Sequence, residues 1–244
     1  MGELPSRPLR GLWVTFLTPH GLEVAITSAG AALDWIAVDL QHGVLDERDL
    51  PDLLRASVRP VLARVASHDA AHVGRVLDTG VLGIIVPGVE SASQAAEVVS
   101  AAYPPPRGRR SSGTSRAALL GREADPLVVA MVETAAGLDR VAEIAATPGI
   151  DGILVGPYDL SLSIGAVSVT ATETVEAVSI ALSAAREKGC LTGLFAGSAE
   201  LAGRFHDVDL LAVDSDAAIL RRGMLEVFSL EGTGSGSCDG DRAQ

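Results

Sequence analysis

Aromatic side chains are scarce in this chain, at 3% of 244 residues, and acidic residues outnumber basic ones by enough to leave a net charge of −12. A groove that tracks phosphates with cations and stacks bases on rings needs the opposite of both, so nucleic acid is excluded as a partner. Cysteine is nearly missing too. Cys190 and Cys238 stand far apart, the second among small polar residues, which leaves neither a disulfide framework nor a cysteine zinc site. No stretch approaches the roughly 20 uninterrupted apolar residues of a membrane span, and the opening MGELPSRPLR has no apolar signal-peptide core. The expectation is a cytoplasmic protein without a membrane partner. Neither GxGxxG after the first strand nor GxxxxGK[ST] anywhere is present, so the common nucleotide-binding signatures are absent.

What remains is 48% hydrophobic, carried by Ala, Val and Leu, with abundant Gly: small side chains suited to helices layered on a sheet. Short apolar runs recur eight times: Gly11–Phe16, Asp34–Asp39, Pro60–Val65, Leu82–Val86, Leu127–Val132, Asp151–Val155, Leu191–Phe195 and Asp209–Val213. Continuous apolar runs bounded by turn residues mark strands buried on both faces, hence a parallel sheet. Helically spaced segments separate them, such as Leu138, Val141, Ile144 and Ala145, or Val175, Val178, Ala181, Leu182 and Ala185. Eight β–α units in this length favour an α/β fold closed as a (β/α)₈ TIM barrel, which runs to roughly 250 residues as one domain, over the alternative of an open doubly wound sheet. The expected organisation is an N-terminal extension over 1–10, one barrel domain over 11–231 and a disordered tail over 232–244. Tyr103 to Asp125, rich in Pro, Arg, Ser and Gly, reads as a long functional loop or mobile lid.

In such barrels the C-terminal strand ends converge on one catalytic face. Asp39 and His42 follow the second strand, Arg64 ends the third, Glu133 the fifth, and Gly156-Pro157-Tyr158-Asp159 the sixth. Glu133 and Asp159 fit a hard divalent ion such as Mg²⁺ or Mn²⁺, which takes oxygen ligands and leaves positions for water and a 2-oxo acid. Either carboxylate could instead cap the helix that follows it. Asp39 is close enough in sequence to orient the His42 imidazole as an acid–base dyad, the alternative being a solvated loop histidine. Arg64 would meet an anionic oxygen of the substrate or, alternatively, form an interstrand ion pair. His68-Asp69-Ala70-Ala71-His72 carries two histidines at i and i+4, the spacing of a helical zinc site in a hydrolase, but lacks a third ligand, and Ser67 or Asp69 could be caps. His20 and His206 read as surface residues.

Taken in order, Asp34-Trp35-Ile36-Ala37-Val38-Asp39-Leu40-Gln41-His42-Gly43, Arg64, Leu77-Asp78-Thr79-Gly80, Val86-Pro87, Tyr103-Pro104-Pro105, Val132-Glu133-Thr134 and Gly156-Pro157-Tyr158-Asp159-Leu160-Ser161 resemble the HpcH/HpaI aldolase family over about residues 11 to 228. That resemblance implies a metal-dependent, class II pyruvate aldolase acting on a 4-hydroxy-2-oxo acid. It implies Glu133 and Asp159 as ligands of Mg²⁺ or Mn²⁺, with Co²⁺ also compatible, and the Gly156–Asp159 backbone as receiver of the pyruvate carboxylate. Arg64 would face the enolate oxygen, and His42, oriented by Asp39, would move the proton of the substrate hydroxyl. Asp78 would reach a neighbouring subunit's site in a trimer or hexamer. The partners implied are pyruvate or oxaloacetate and an aldehyde acceptor. Oxaloacetate decarboxylation, citrate-synthase-like condensation, or a non-catalytic barrel that binds 2-oxo acids would use the same core. The chain departs from that pattern at Met131, where glutamine is common, in Pro-Pro-Pro-Arg-Gly-Arg-Arg and the short stretches 116–129 and 164–174, and at Asp214, where glycine is frequent; the resemblance implies that these lie on the substrate side.

Overall fold

The computed structural model describes residues 7–123 and 125–229; the tail expected over 232–244 lies outside the described residues. Eight parallel strands close in chain order into a barrel. They are β1 (Leu9–Val14), β2 (Trp35–Asp39), β3 (Val61–Arg64), β4 (Gly83–Val86), β5 (Leu127–Val132), β6 (Gly152–Val155), β7 (Leu191–Phe195) and β8 (Leu210–Ser215). Each apolar run becomes a strand within two residues of its expected ends. The first strand starts earlier than expected because Asp34 grips the chain ahead of it, accepting from both terminal nitrogens of Arg7 at 2.6 and 2.8 Å and from the Arg10 N–H at 2.8 Å.

Side chains alternate across the barrel wall with the period of two that a strand imposes. Ile36, Val38, Ala63, Ile84, Ala130, Ile153 and Val155 pack outward under the helices, whereas Trp13, Trp35, Ala37, Leu62, Ile85, Val129, Met131 and Leu154 fill the interior. Both tryptophans are therefore spent inside the barrel. A β-carbon on Gly11 would come within 2.4 Å of the Trp35 ring, so glycine there is what lets that ring fit.

The helices are α1 (Pro19–Ala29), α2 (Leu50–Ala56), α3 (Ala70–Asp78), α4 (Ala92–Ala102), α5 (Arg116–Leu119), α6 (Ala135–Asp139), α7 (Val141–Ala145), α8 (Pro157–Ser163), α9 (Thr172–Glu187), α10 (Ala199–Ala202) and α11 (Asp216–Phe228). The helix expected through Leu138 and Ala145 is broken at Arg140, which closes one short helix and opens the next. The stretch from Tyr103 to Asp125 corrects a second expectation. It joins a helix to a strand, α4 to β5, and so belongs to the end of the barrel away from the catalytic face. There Arg116 and Arg122 donate to the carbonyls of Thr79 and Gly80, and the Tyr103 hydroxyl to that of Pro126. These bonds pin the segment to the turn between α3 and β4; it is no lid over the catalytic face.

At β8 the ladder to β1 slips between Gly11 and Leu12, whose partners are Ala212 and Asp214. This bulge skips Val213 and points Asp214 to the outer wall, where it is 3% exposed and paired with Arg222 of α11. Asp214 is thus not a substrate-side residue. Helix α11 itself buries only Asp216 and leaves Leu220, Met224, Leu225, Val227 and Phe228 exposed. No helix among the described residues is long and apolar enough to cross a membrane.

Candidate active site

Asp39 and Arg64 end neighbouring strands and face each other in register across the β2–β3 ladder. Arg64 binds Asp39 side-on, Nε to Oδ1 at 2.9 Å and Nη2 to Oδ2 at 2.5 Å, with both residues buried. Asp39 also accepts from the indole N–H of Trp13 at 3.3 Å and from the backbone N–H groups of Gln41 at 3.0 Å and His42 at 3.3 Å. Burial pushes this carboxyl upward, but the hydrogen bonds and charge of Arg64, helped by the two backbone donors, outweigh it and hold Asp39 below the ordinary aspartate range. The interstrand ion pair considered for Arg64 is therefore present. It does not consume the guanidinium: Nη1 has no hydrogen bond among the described residues. The Arg64 head lies 5.1 Å from the Trp13 ring, which stacks on Phe195 at 4.7 Å.

The Asp39–His42 dyad is not formed between side chains. Asp39 meets His42 only at its backbone N–H, and the imidazole is exposed, with no hydrogen bond of its own among the described residues. What Asp39 orients is the turn that carries His42.

Glu133 follows β5 and is 8% exposed. Its carboxyl is raised above the usual range, first by burial and then by repulsion from Asp159, against the pull of Arg64 and the Gly88 N–H. The Asp159 contribution places the two carboxylates in one electrostatic neighbourhood. Neither is a helix cap: Thr134 caps α6 through the Gly137 N–H, Gly156 holds the cap position of α8, and Asp159 lies exposed in that helix's first turn. The Glu133 Oε2 atom is buried without a hydrogen-bond partner among the described residues. Its space comes from Gly156, where a β-carbon would fall 3.1 Å from that oxygen and 2.5 Å from the Met131 methyl. Met131, 2% exposed, thus puts a thioether beneath the carboxylate.

A buried carboxylate oxygen lacking a donor is costly unless a cation or proton meets it. Among the described residues no three His, Cys, Asp or Glu side chains gather as a metal-holding group, so an ion here would rest on Glu133 and Asp159 with its other positions open. The backbone N–H groups of Tyr158 and Asp159, in the first turn of α8, have no intrahelical acceptor.

The other sequence candidates fall elsewhere. The His72 Nε2 atom accepts from the Ala66 N–H at 3.1 Å, and the His68 Nε2 lies 2.5 Å from the Pro87 carbonyl. Asp69 caps α3 through the His72 N–H at 2.8 Å. The two rings are turned to different partners, which removes the zinc reading. Asp78 ends α3 at the far end of the barrel, with one carboxylate oxygen 3.8 Å from Arg110, and does not join Asp39, Glu133 and Asp159 within this chain. His20 is a surface residue 3.4 Å from Glu23, and His206 is exposed. One contributor escapes motif reading, Trp13, which donates into the Asp39–Arg64 pair; Gly156, already a candidate for the substrate carboxylate, has the further part of making room for Glu133.

Comparison with known proteins identifies the family. The family model for HpcH/HpaI aldolase/citrate lyase matches residues 10–214. The chain is 30% identical over 252 residues to a hydroxypyruvate/pyruvate aldolase of Chromohalobacter salexigens, covering 93% of this chain and 98% of that one. It is 33% identical over 222 residues to a 2-dehydro-3,6-dideoxy-6-sulfogluconate aldolase of Pseudomonas putida, covering 84% and 87%. A crystal structure of an HpcH/HpaI aldolase/citrate lyase family protein from Burkholderia cenocepacia superposes with a TM-score of 0.83 at 31% identity, covering 92% of this chain and 94% of that one. The chain belongs to the HpcH/HpaI aldolase/citrate lyase family and is, as such, an enzyme of carbon–carbon bond cleavage and formation.

Proposed function

We propose that this enzyme is a divalent-metal-dependent aldolase that makes or breaks the bond between a pyruvate unit and an aldehyde, with a 4-hydroxy-2-oxo acid as the cleaved substrate. The observation that carries the reading is the buried, partnerless Glu133 oxygen near Asp159. Those two carboxylates would hold Mg²⁺ or Mn²⁺, or Co²⁺ in their place. When bound, the ion would draw charge from the carbonyl and carboxylate oxygens of the 2-oxo acid.

The chain's own groups supply the rest. The free N–H groups of Tyr158 and Asp159 meet the substrate carboxylate, with Gly156 and Pro157 shaping the approach. Asp39 fixes Arg64 by one edge of its guanidinium, leaving Nη1 to face the oxygen on which negative charge develops. His42 takes the proton from the substrate's C4 hydroxyl as that C–O becomes a carbonyl and the neighbouring carbon–carbon bond opens. Asp39 acts on this histidine through the backbone.

A Schiff-base route lacks its amine. The only lysine in the chain, Lys188, is exposed and lies in the turn before β7, at the end of the barrel away from Glu133. The exposed apolar side chains of α11 support assembly with further copies, in which Asp78 would approach a neighbour's site.

Proton exchange tests the shared first step. With pyruvate and Mn²⁺ in D₂O, the enzyme is expected to exchange the methyl protons, and Glu133→Gln to abolish both exchange and Mn²⁺ binding. Exchange that persists in Glu133→Gln, or that proceeds equally in a chelator, would overturn the assignment.

A further inference from the structure

We propose that Asp216 is a positioning residue for His42, acting across the β8–β1 seam through the turn that follows β1. The inference rests on the reading above, in which His42 handles the hydroxyl proton.

Asp216 is the first residue of α11 and is 5% exposed. An acid at that position ordinarily serves the unpaired N–H groups of its own helix. Here Ser215 does most of this, accepting from the Ala218 N–H, and Asp216 takes only the Ala217 N–H at 2.8 Å while reaching out of the helix. Its carboxylate accepts from the Thr15 N–H at 3.0 Å, the Thr15 hydroxyl at 2.6 Å, the Phe16 N–H at 3.0 Å and the Leu17 N–H at 3.1 Å. Among the described residues no donor outside helix α11 and this loop reaches it. One buried carboxylate thus gathers three successive amides of a loop about 200 residues away in sequence.

That loop is what the His42 turn leans on. The Thr15 carbonyl accepts from the Val44 N–H at 2.9 Å. A β-carbon on Gly43 would fall 2.6 Å from the same carbonyl and 2.4 Å from that of Asp39, so Gly43 is wedged between two backbones. His42 is the preceding residue, and its ring has no hydrogen bond among the described residues. Its position is therefore set by its flanks: Asp39 accepts from the His42 N–H on one side, and Thr15, held by Asp216, secures Val44 on the other. Asparagine at 216 would keep the shape but set an NH₂ group against a row of N–H donors.

The test compares two reactions that leave the same enolate. In retro-aldol cleavage the C4 hydroxyl proton passes to the base, the C4–O bond becomes a carbonyl, and the electron pair of the broken C3–C4 bond passes to the pyruvate unit. In oxaloacetate decarboxylation the pair comes from the bond to the departing CO₂, and no hydroxyl proton moves. A fault in the placement of His42 therefore lowers the ratio of cleavage to decarboxylation, whereas a general loss of folded enzyme lowers both rates equally. Asp216→Asn is expected to lower that ratio by at least about tenfold, as His42→Ala does, and the double variant to have the ratio of His42→Ala alone. Thr15→Val, which removes only the hydroxyl bond, is expected to shift the ratio in the same direction by a smaller factor and serves if Asp216→Asn fails to fold. A parallel fall in both activities with an unchanged ratio, in whichever of the two variants folds, would overturn the proposal. An unchanged ratio in His42→Ala would instead overturn the reading of His42.

Discussion

Replacing Asp39 with alanine removes five donor contacts at once and strands the Arg64 charge at 6% exposure. Removing one partner of a buried ion pair costs about 3–5 kcal/mol. In a domain of this size each kcal/mol lowers the melting midpoint by roughly 2–4 °C, so Asp39→Ala is expected to melt roughly 6–20 °C below the parent. Thermal unfolding followed by circular dichroism reads the shift directly. Adding Arg64→Met should recover most of it, because the second substitution removes the stranded charge and leaves a thioether beside Trp13. The effect also has a defined pH dependence. The Asp39 carboxyl is held below its ordinary value, so its contribution is complete above the unfolded pKa of about 3.9 and is lost as pH falls through the lower folded value. The gap between parent and variant should close in that acid window. A gap under about 1 kcal/mol at neutral pH, or one that persists in acid, would refute the argument that the pair is buried and coupled.

Three further outcomes follow from the packing. Gly156→Ala sets a methyl against Met131 and Glu133, and calorimetry should find Mn²⁺ affinity reduced by about tenfold, the equivalent of about 1.4 kcal/mol; unchanged affinity would show the carboxylate has room to spare. Gly83→Ala puts a β-carbon 2.2 Å from the Leu127 carbonyl oxygen across β4 and β5, and should cost about 1–3 kcal/mol in denaturant unfolding without changing metal affinity. Lys188→Arg should retain full activity, and borohydride with pyruvate should add no mass to the parent chain; a covalent adduct would revive the imine route.

The barrel was legible in the sequence because a strand buried on both faces leaves a short apolar run that little else imitates. Leu127–Val132 and Leu191–Phe195 match the observed strands at both ends. The strand-end polar residues were legible for the same reason, since charge is conspicuous where the wall is apolar. What escaped was whatever depends on register or on side-chain direction. Asp39 and Arg64 lie opposite one another on neighbouring strands, but only the β2–β3 register says so, and the nearness of His42 along the chain suggested a different partner. The bulge at Val213 belongs to the pairing of β8 with β1 and leaves no mark in either strand alone, so the outward turn of Asp214 was hidden. Composition alone makes a lid of the Tyr103–Asp125 segment, whereas its place between a helix and a strand assigns it to the opposite end of the barrel.

The solitary lysine has a practical consequence. Reagents that acylate ε-amines have one side-chain target, Lys188, exposed in the turn between α9 and β7. Coupling the protein to a surface or a dye through that amine would tether it by the back of the barrel, with the mouth that holds Glu133 and Asp159 turned outward to the solution.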